Sequence, residues 1–215
     1  MIEITEATLD QLRESVQGSM SPKRFRHTFA VEEMVARLCE LYCPEYTLEM
    51  RAAALLHDLT KELGTEEQIS LCREYGLEVT AQDGLSPKTF HARTAEARIR
   101  AEMPQLATPL ILNAVRWHTT GRRGMTLTEK LLYLADYIDE SRTFPNCVLL
   151  RHFFWDANPE EMSEGERLEL LHKTLILSFD MTIRDLLTEN ALIAQDTVLA
   201  RNDLLEQEAQ AQSAE

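Results

Sequence analysis

Apolar residues recur at helical spacing along almost the whole chain, and short polar segments separate one apolar stretch from the next. Six helix starts are marked by a capping residue that precedes a proline or stands three residues before Gln or Glu: Ser21, Thr65, Ser86, Thr108, Thr126 and Ser163. Four more apolar stretches lie near residues 5–16, 47–59, 146–157 and 192–205. We find no convincing alternating strand, so the pattern predicts an all-α fold, a bundle of about ten helices.

Length and composition indicate one domain. With 215 residues, 44% of them hydrophobic, and no linker rich in Pro, Gly or Ser, the chain can bury one sizeable core. We assign residues 1–205 to this domain and expect the tail 206–215, which loses the apolar pattern, to fray. No stretch approaches a membrane span, and the N-terminus does not resemble a signal peptide. We therefore expect a cytoplasmic protein without a membrane partner and, since no cysteines form a CxxC pair, free thiols.

The net charge of −14 argues against binding to a nucleic-acid polymer, because such binding depends on Lys and Arg that neutralise phosphates. The charge is nevertheless unevenly distributed. Within six residues of the six candidate site positions named below there are 12 Lys/Arg and 8 Asp/Glu, whereas the rest of the chain has 10 and 28. One interpretation is that the basic residues are ordinary solvated surface charges. The other is a positive pocket for a small anion such as a phosphate ester or anhydride.

The adjacent residues His57 and Asp58 end an apolar helical stretch, where an imidazole nitrogen and a carboxylate oxygen can bind one divalent ion. Alone, the pair is equally typical of a histidine near the negative end of a helix dipole. Four further polar residues interrupt apolar stretches in the same way: His27, His91, His118 and Asp136. One helix cannot bring together residues that lie so far apart in sequence, but several helices that converge in a bundle core can.

Two histidines, two tryptophans and one loop have ordinary structural interpretations. We exclude His172, which lies on an amphipathic helix, and His152, for which we identify no acidic partner. Trp117 and Trp155 are interpreted as core residues. The segment 119–124, Thr-Thr-Gly-Arg-Arg-Gly, is a candidate substrate loop, but a plain turn is the alternative, since Gly-x-x-Gly is too short to identify a phosphate loop.

The ordered set His27, His57-Asp58 and Asp136 resembles the HD-domain superfamily of metal-dependent phosphohydrolases, an all-helical fold. Three segments are similar to its YqeK-type members, the symmetrical bis(5'-nucleosyl)-tetraphosphatases: 57–61, 116–122 with His-Thr-Thr-Gly-Arg, and 129–142 with Ala-Asp-Tyr. The resemblance covers a motif core at 21–144 and extends more faintly to Thr182. Ala92 stands where the family pattern has glycine, and the match around Asp180 is loose, so the preferred base is left open.

The resemblance implies a non-haem iron, or manganese or another divalent transition metal in its place, bound by His27, His57, Asp58 and Asp136. It further implies that His91 and His118 either hold a second metal or donate hydrogen bonds to phosphate. The residues expected to contact the substrate phosphates are Arg24, Lys61, His91, His118, Thr119 and Arg142. Those expected to act in catalysis are Asp58, Lys61, His91 and His118.

We therefore expect a metal-dependent hydrolase that cleaves diadenosine tetraphosphate symmetrically into two ADP molecules, with a dinucleoside polyphosphate as its substrate partner. The alternatives are another HD-type nucleotidase or phosphodiesterase, and a non-catalytic nucleotide-binding sensor. The oligomeric state is left open, with a homodimer among the options.

Overall fold

The computed structural model describes residues 3–80 and 86–212, and within that part it contains helices and no strand. The ten α-helices of the described residues are α1 (Glu6–Ser19), α2 (Pro22–Tyr42), α3 (Thr47–Leu56), α4 (Thr65–Glu74), α5 (Phe90–Glu102), α6 (Pro109–Trp117), α7 (Leu127–Ile138), α8 (Pro145–Trp155), α9 (Glu164–Thr188) and α10 (Gln195–Gln212). Short 3-10 helices span Pro44–Tyr46, Pro87–Thr89 and Pro159–Glu161. The predicted all-α fold is confirmed.

Helix α3 lies at the centre of the bundle. Its residues from Ala52 to Leu56 are all fully buried, and a helix that is apolar on every side belongs in the interior of a fold. Helices α1, α2, α6 and α7 pack against it, while α9 packs against α8 and α10 further out. The C-terminal end of α3 therefore brings the next two residues, His57 and Asp58, into an interior enclosed by other helices.

Most of the predicted helix starts agree with the structure, and the exceptions have local causes. Thr126 and Ser163 form capping boxes with Glu129 and Glu166 as predicted. The predicted pairing of Thr65 with Gln68 is wrong: Gly64 is the N-cap residue of α4, and its backbone N–H donates to Glu67 at 2.8 Å.

The start predicted at Ser86 is also displaced. The three residues that follow it, Pro87–Thr89, form a 3-10 helix, and α5 begins only at Phe90.

The C-terminal helix α10 continues through residues 206–212, where the sequence suggested a frayed tail. Gln, Glu and Ala dominate this segment and are good helix formers, so propensity extends the helix beyond its last buried contact at Leu204. Residues 213–215 lie outside the described residues, and the domain boundary at 205 stays a prediction.

The imidazole Nε2 of His172 lies 2.8 Å from the carbonyl of Leu204, which joins α9 to α10 as expected for a core or interface histidine.

All four cysteines are buried free thiols, as predicted. Within residues 3–80 and 86–212, every helix is too short or too polar to cross a membrane.

Candidate metal centre

The four predicted metal ligands converge from three elements. His27 comes from α2, His57 and Asp58 follow the end of α3, and Asp136 lies on α7. His27 Nε2 is 2.9 Å from Asp136 Oδ1, and His57 Nε2 is 3.4 Å from Asp58 Oδ2 and 3.8 Å from Asp136 Oδ1. Residues that are distant in sequence therefore share one small volume, as the bundle argument predicted.

Two of the imidazole rings are oriented by the main chain. The Nδ1 of His57 lies 2.6 Å from the carbonyl of Ala54, and the Nδ1 of His118 lies 2.6 Å from the carbonyl of Val115. A carbonyl only accepts hydrogen bonds, so each Nδ1 carries the proton and each Nε2 keeps a lone pair. Both Nε2 atoms face the cluster, which is the arrangement that a metal-binding histidine requires.

The third ring, His27, is oriented by side chains that the sequence analysis did not single out. Its Nδ1 lies 3.3 Å from Asp139 Oδ2 and 3.3 Å from Ser141 Oγ. Asp139 follows Asp136 by three residues, at the end of α7, and its side chain is fully buried. A second acidic residue one helical turn from a predicted ligand was the signal that could have identified it.

Each candidate carboxylate ligand is paired with an arginine. Arg24 Nη1 is 2.6 Å from Asp58 Oδ2, and Arg142 Nη2 is 2.5 Å from Asp136 Oδ1. Burial acts to raise the pKa of both carboxyls. For Asp58, electrostatic interactions with His57, His91 and Lys61 outweigh burial and hold its pKa well below the usual range.

The same balance holds at the second carboxylate. Arg142, together with His27 and His57, lowers the pKa of Asp136 far more than burial raises it. In return, Asp136 and Asp139 raise the pKa of the Arg142 guanidinium despite its burial. Both carboxylates are therefore ionised at neutral pH and able to act as ligands.

A second histidine pair extends the cluster. His91 Nε2 lies 3.0 Å from His118 Nε2 and 3.3 Å from Asp58 Oδ1, and Lys61 Nζ lies 3.1 Å from His91 Nε2. Burial lowers the pKa of His118 to about 4, with help from the neighbouring His57, and burial with Lys61 lowers the pKa of His91 well below its usual value. Both rings are neutral at pH 7, and the hydroxyl of Thr119 lies 3.1 Å from His118 Nε2.

The donor set fits a divalent ion. Ligand atoms of His27, His57 and Asp136 lie within 4.8 Å of one another, and so do those of His57, Asp58 and His118. The buried Nε2 atoms of His27 and His57 have no hydrogen-bond partner, although buried polar atoms normally have one. Because imidazole and carboxylate groups together are typical ligands of transition metals, a cation at this point would satisfy both nitrogens.

Other basic residues near the predicted site turn away from it. Arg122 pairs with the buried Glu129 at 2.9 Å, and Arg123 contacts the α10 residues Asp203 and Glu206. The guanidinium of Arg116 stacks over the ring of Trp117 at 4.0 Å. In this part of the chain, the uncharged Thr119 lies against the cluster, with its hydroxyl 3.2 Å from His91 Nε2.

The glycine of the candidate substrate loop has a packing role. Gly121 has a φ of 63°, and a Cβ atom added to it would lie 2.7 Å from Phe179 Cζ. Both observations require glycine, because other residues rarely adopt this conformation and no space remains for a side chain. The loop thus fits tightly under α9 and α10 and fixes the position of Thr119.

A buried polar network supports His91 from behind. Thr60 Oγ1 donates to the carbonyl of His91 at 3.0 Å and lies 2.8 Å from Thr94 Oγ1. Gln68 completes the network, since its amide nitrogen donates to the carbonyl of Thr60 and its oxygen accepts from Thr94 at 2.5 Å. These residues were not predicted from the sequence because uncharged polar side chains, in a turn as at Thr60 or on helices as at Gln68 and Thr94, give no distinctive pattern.

His152 corrects a smaller prediction. Its Nδ1 lies 3.2 Å from Asp156 Oδ2, so His152 does have an acidic partner. The pair is exposed at the end of α8, which Asp156 directly follows. Its exclusion from the cluster nevertheless agrees with the structure.

Comparison with known proteins places these residues in a family. The HD domain profile matches residues 24–141, more than half of the chain. Relatives named symmetrical bis(5'-nucleosyl)-tetraphosphatase occur in Halalkalibacterium halodurans (32% identity, covering 88% of this chain and 93% of the relative) and Staphylococcus aureus (31%, 78% and 87%). A third, from Bacillus subtilis, is 29% identical over 88% of this chain and 94% of its own length.

A solved structure agrees with the sequence matches. The crystal structure of a Clostridium acetobutylicum protein, described as a predicted HD superfamily hydrolase involved in NAD metabolism, superimposes with a TM-score of 0.78 and 30% identity. The match covers 92% of this chain and 97% of that one. The resemblance drawn from the His-Asp pair and the flanking motifs is thereby confirmed, and the chain belongs to the HD domain family.

Proposed function

We propose that the chain is a metal-dependent hydrolase that cleaves diadenosine tetraphosphate symmetrically into two ADP molecules. The observation that carries this proposal is the convergence of His27, His57, Asp58 and Asp136, with Arg24, Lys61 and Arg142 around them. The three relatives named symmetrical bis(5'-nucleosyl)-tetraphosphatase support the same activity, since each aligns with most of this chain.

The metal that we propose is iron, with manganese or another divalent ion as the alternative. Two imidazoles and two carboxylates form a mixed donor set, which suits iron or manganese better than the closed four-ligand site of a structural zinc. When bound, such an ion supplies Lewis-acid polarisation of a phosphoryl oxygen and activation of water. A second metal at His91 and His118 is the less favoured option, because Lys61 already places a positive charge beside His91.

The chain's own residues have separable tasks in this proposal. Arg24 and Arg142 are fixed by ion pairs at the two carboxylates, so their remaining N–H groups are held ready to bind phosphate oxygens. Lys61, His91 and Thr119 form a group of donors on the other side of Asp58. Such preorganised donors stabilise charge as it develops on the phosphoryl oxygens.

The hydrogen bonds of His118 determine in which direction His91 donates. Its Nδ1 proton is committed to Val115, so its Nε2 accepts a hydrogen bond from the Nε2–H of His91. That leaves His91 Nδ1 as an acceptor for Lys61, 3.3 Å away. A phosphate that enters the cluster can accept from the N–H groups of His91 and Lys61, whereas the unprotonated Nε2 of His118 cannot donate to it.

A cavity beside Arg142 offers room for one nucleoside. It has a volume of about 620 Å³ and is lined by Tyr137, Phe144, Thr182 and Asp185. Phe144 is two-thirds exposed and presents an aromatic surface on which a base can stack. A nucleoside in this cavity would place its phosphate chain next to Arg142.

Product analysis tests the proposal. The purified protein is incubated with Fe²⁺ or Mn²⁺ and diadenosine tetraphosphate, and early time points are separated by nucleotide chromatography. We expect ADP as the sole nucleotide product. AMP and ATP in equal amounts would contradict symmetric cleavage, and no product with any divalent metal would favour the nucleotide-sensor alternative.

A second candidate activity has its own support. The structural relative from Clostridium acetobutylicum is described as involved in NAD metabolism, and NAD is also a dinucleotide, joined by one phosphoric anhydride bond. Parallel assays with NAD, nucleoside monophosphates and cyclic nucleotides therefore distinguish the tetraphosphatase from another HD-type phosphohydrolase. Faster cleavage of any of these compounds than of diadenosine tetraphosphate would overturn the substrate assignment.

Partners and location follow from the same proposal. The partner is the dinucleoside polyphosphate itself, without a nucleic-acid polymer or a membrane, in a cytoplasmic setting. A homodimer stays a prediction, which light scattering of the purified protein checks.

A further inference from the structure

Asp139 is a fully buried carboxylate directly after α7, and its two oxygens face different partners. Oδ1 accepts hydrogen bonds from the backbone N–H of Ser141, at 2.9 Å, and from the Ser141 hydroxyl. Oδ2 lies 3.3 Å from His27 Nδ1 and 3.3 Å from Arg142 Nε. One buried oxygen thus stands between a candidate metal ligand and a candidate phosphate-binding residue.

We propose that Asp139 is a positioning residue that holds His27 for the metal and Arg142 for the substrate at the same time. The inference rests on the proposed metal-dependent function and adds to it a residue outside the predicted ligand and phosphate-binding sets. His57 and His118 have their Nδ1 protons fixed by main-chain carbonyls, whereas His27 Nδ1 lies 3.3 Å from the hydroxyl of Ser141, which donates to Asp139, and 3.3 Å from Asp139 Oδ2 itself. A carboxylate in this position fixes the tautomer of the ring and increases the basicity of Nε2.

The turn that carries Asp139 is itself fixed from outside. Arg151 of α8 donates to the carbonyl of Ile138 at 2.7 Å, to the carbonyl of Arg142 at 2.8 Å, and to the carbonyl of Asp139. These bonds hold the backbone on both sides of the carboxylate. Asp139 therefore has little freedom to move away from His27 or from Arg142, as a positioning role requires.

The test compares Asp139→Asn with Glu129→Gln, a matched control. Glu129 is also a fully buried carboxylate on α7 that is paired with an arginine, Arg122, but it does not contact the cluster. Mn²⁺ affinity is measured from the free-ion signal in electron paramagnetic resonance, and kcat and KM for diadenosine tetraphosphate are measured at saturating Mn²⁺. Circular dichroism melting reports whether each variant is folded.

For Asp139→Asn we expect Mn²⁺ binding about 10- to 100-fold weaker than wild type, the range that is typical for the loss of an outer partner of a metal ligand. We also expect a higher KM at saturating metal, because Arg142 loses its second carboxylate. Glu129→Gln should leave both values at the wild-type level even if it lowers the melting temperature. Should Asp139→Asn fail to fold, Ser141→Ala provides the second variant, with a smaller loss of Mn²⁺ affinity expected.

Wild-type Mn²⁺ affinity in folded Asp139→Asn or, if that variant is unfolded, in Ser141→Ala would overturn the positioning role while leaving the proposed function intact. Equal losses in Asp139→Asn and Glu129→Gln would also overturn it, since the effect would then follow from general destabilisation. A wild-type protein that binds no divalent metal and does not hydrolyse the substrate would instead refute the proposed function.

Discussion

Arg24 Nη1 lies 2.6 Å from Asp58 Oδ2, so a cation expected to bind phosphate is paired with a carboxylate expected to bind metal. Arg142 and Asp136 repeat this relationship on α7 and the turn after it. A divalent ion and the two guanidinium groups would therefore interact with the same two carboxylates. The site has to be understood as one charge network rather than as a metal site with a separate phosphate site.

Arg142→Ala should lower kcat/KM by about 100-fold, because removal of one preorganised donor to a developing charge typically costs 10²–10³ in rate. Metal affinity should stay the same or increase, since a positive charge next to Asp136 is removed. Steady-state kinetics and Mn²⁺ titration check both results. Arg123→Ala is the matched control, because Arg123 pairs on the surface with Glu206. A parallel fall in metal affinity would show that Arg142 organises the ligands instead of the substrate.

Asp58→Ala should remove metal and activity together, with a loss of turnover greater than about 100-fold, the upper value for outer partners of a ligand. The reason is that Asp58 is within 4 Å of four imidazole nitrogens, so its loss removes a ligand and leaves Arg24 without its partner. Elemental analysis of the purified variant measures metal content. Asp156→Ala, which removes an exposed carboxylate directly after α8, is the control. Full metal content with normal turnover in Asp58→Ala would exclude the site.

Lys61→Ala should reduce kcat with little change in metal content. Burial lowers the pKa of Lys61, although Asp58 and Asp136 act in the opposite direction, and the side chain contacts His91 rather than lying free in solvent. We expect a fall in kcat of about 10- to 1000-fold if the amine stabilises the transition state. Lys173→Ala serves as the control, since Lys173 pairs with Glu169 on an exposed face of α9. Unchanged kcat in folded Lys61→Ala would assign this residue a purely structural role.

Gly121→Ala should destabilise the protein by at least about 2 kcal/mol, from the cost of a left-handed residue and the overlap with Phe179. Substitutions of two other glycines distinguish the cost of the left-handed backbone from the cost of the overlap with Phe179. Gly76 has a φ of 68° and open space around it, so Gly76→Ala should cost only about 1 kcal/mol. Gly165 lies in the first turn of α9 with open space around it, so Gly165→Ala should be neutral or stabilising by up to about 1 kcal/mol. Urea denaturation gives the three values, and equal costs for the first two variants would mean that the loop adapts to a side chain.

The sequence predicted the helical fold and the cluster residues because their signals are local. Apolar periodicity identifies a helix within a short window, and a histidine or aspartate that interrupts an apolar stretch, as at His57 and Asp136, stands out on its own. The family motifs then predicted that these residues form one site. Spacing alone could not predict this, since His27 and Asp136 are more than 100 residues apart.

The remaining features depend on tertiary geometry. The direction in which Arg122 and Arg123 point is set by Glu129 and by α10, so their position next to His118 in sequence was misleading. The position of Asp139 one helical turn after Asp136 was a weak signal, and only the structure shows that its carboxylate lies against His27. Gly121 belonged to a segment predicted to be either a substrate loop or a plain turn, whereas contact with Phe179 makes it a packing position.

The three rings of the centre differ in how vulnerable they are to mutation. The acceptors that hold His57 and His118 are main-chain carbonyls in the last turns of α3 and α6, and every amino acid at positions 54 and 115 carries such a carbonyl. The groups next to His27 Nδ1 are the side chains of Ser141 and Asp139, and a single codon change can remove either of them. Mutations that accumulate without selection should therefore disrupt the positioning of His27 before that of His57 and His118. A descendant that has lost catalysis should retain a recognisable His-Asp pair long after residue 139 has changed.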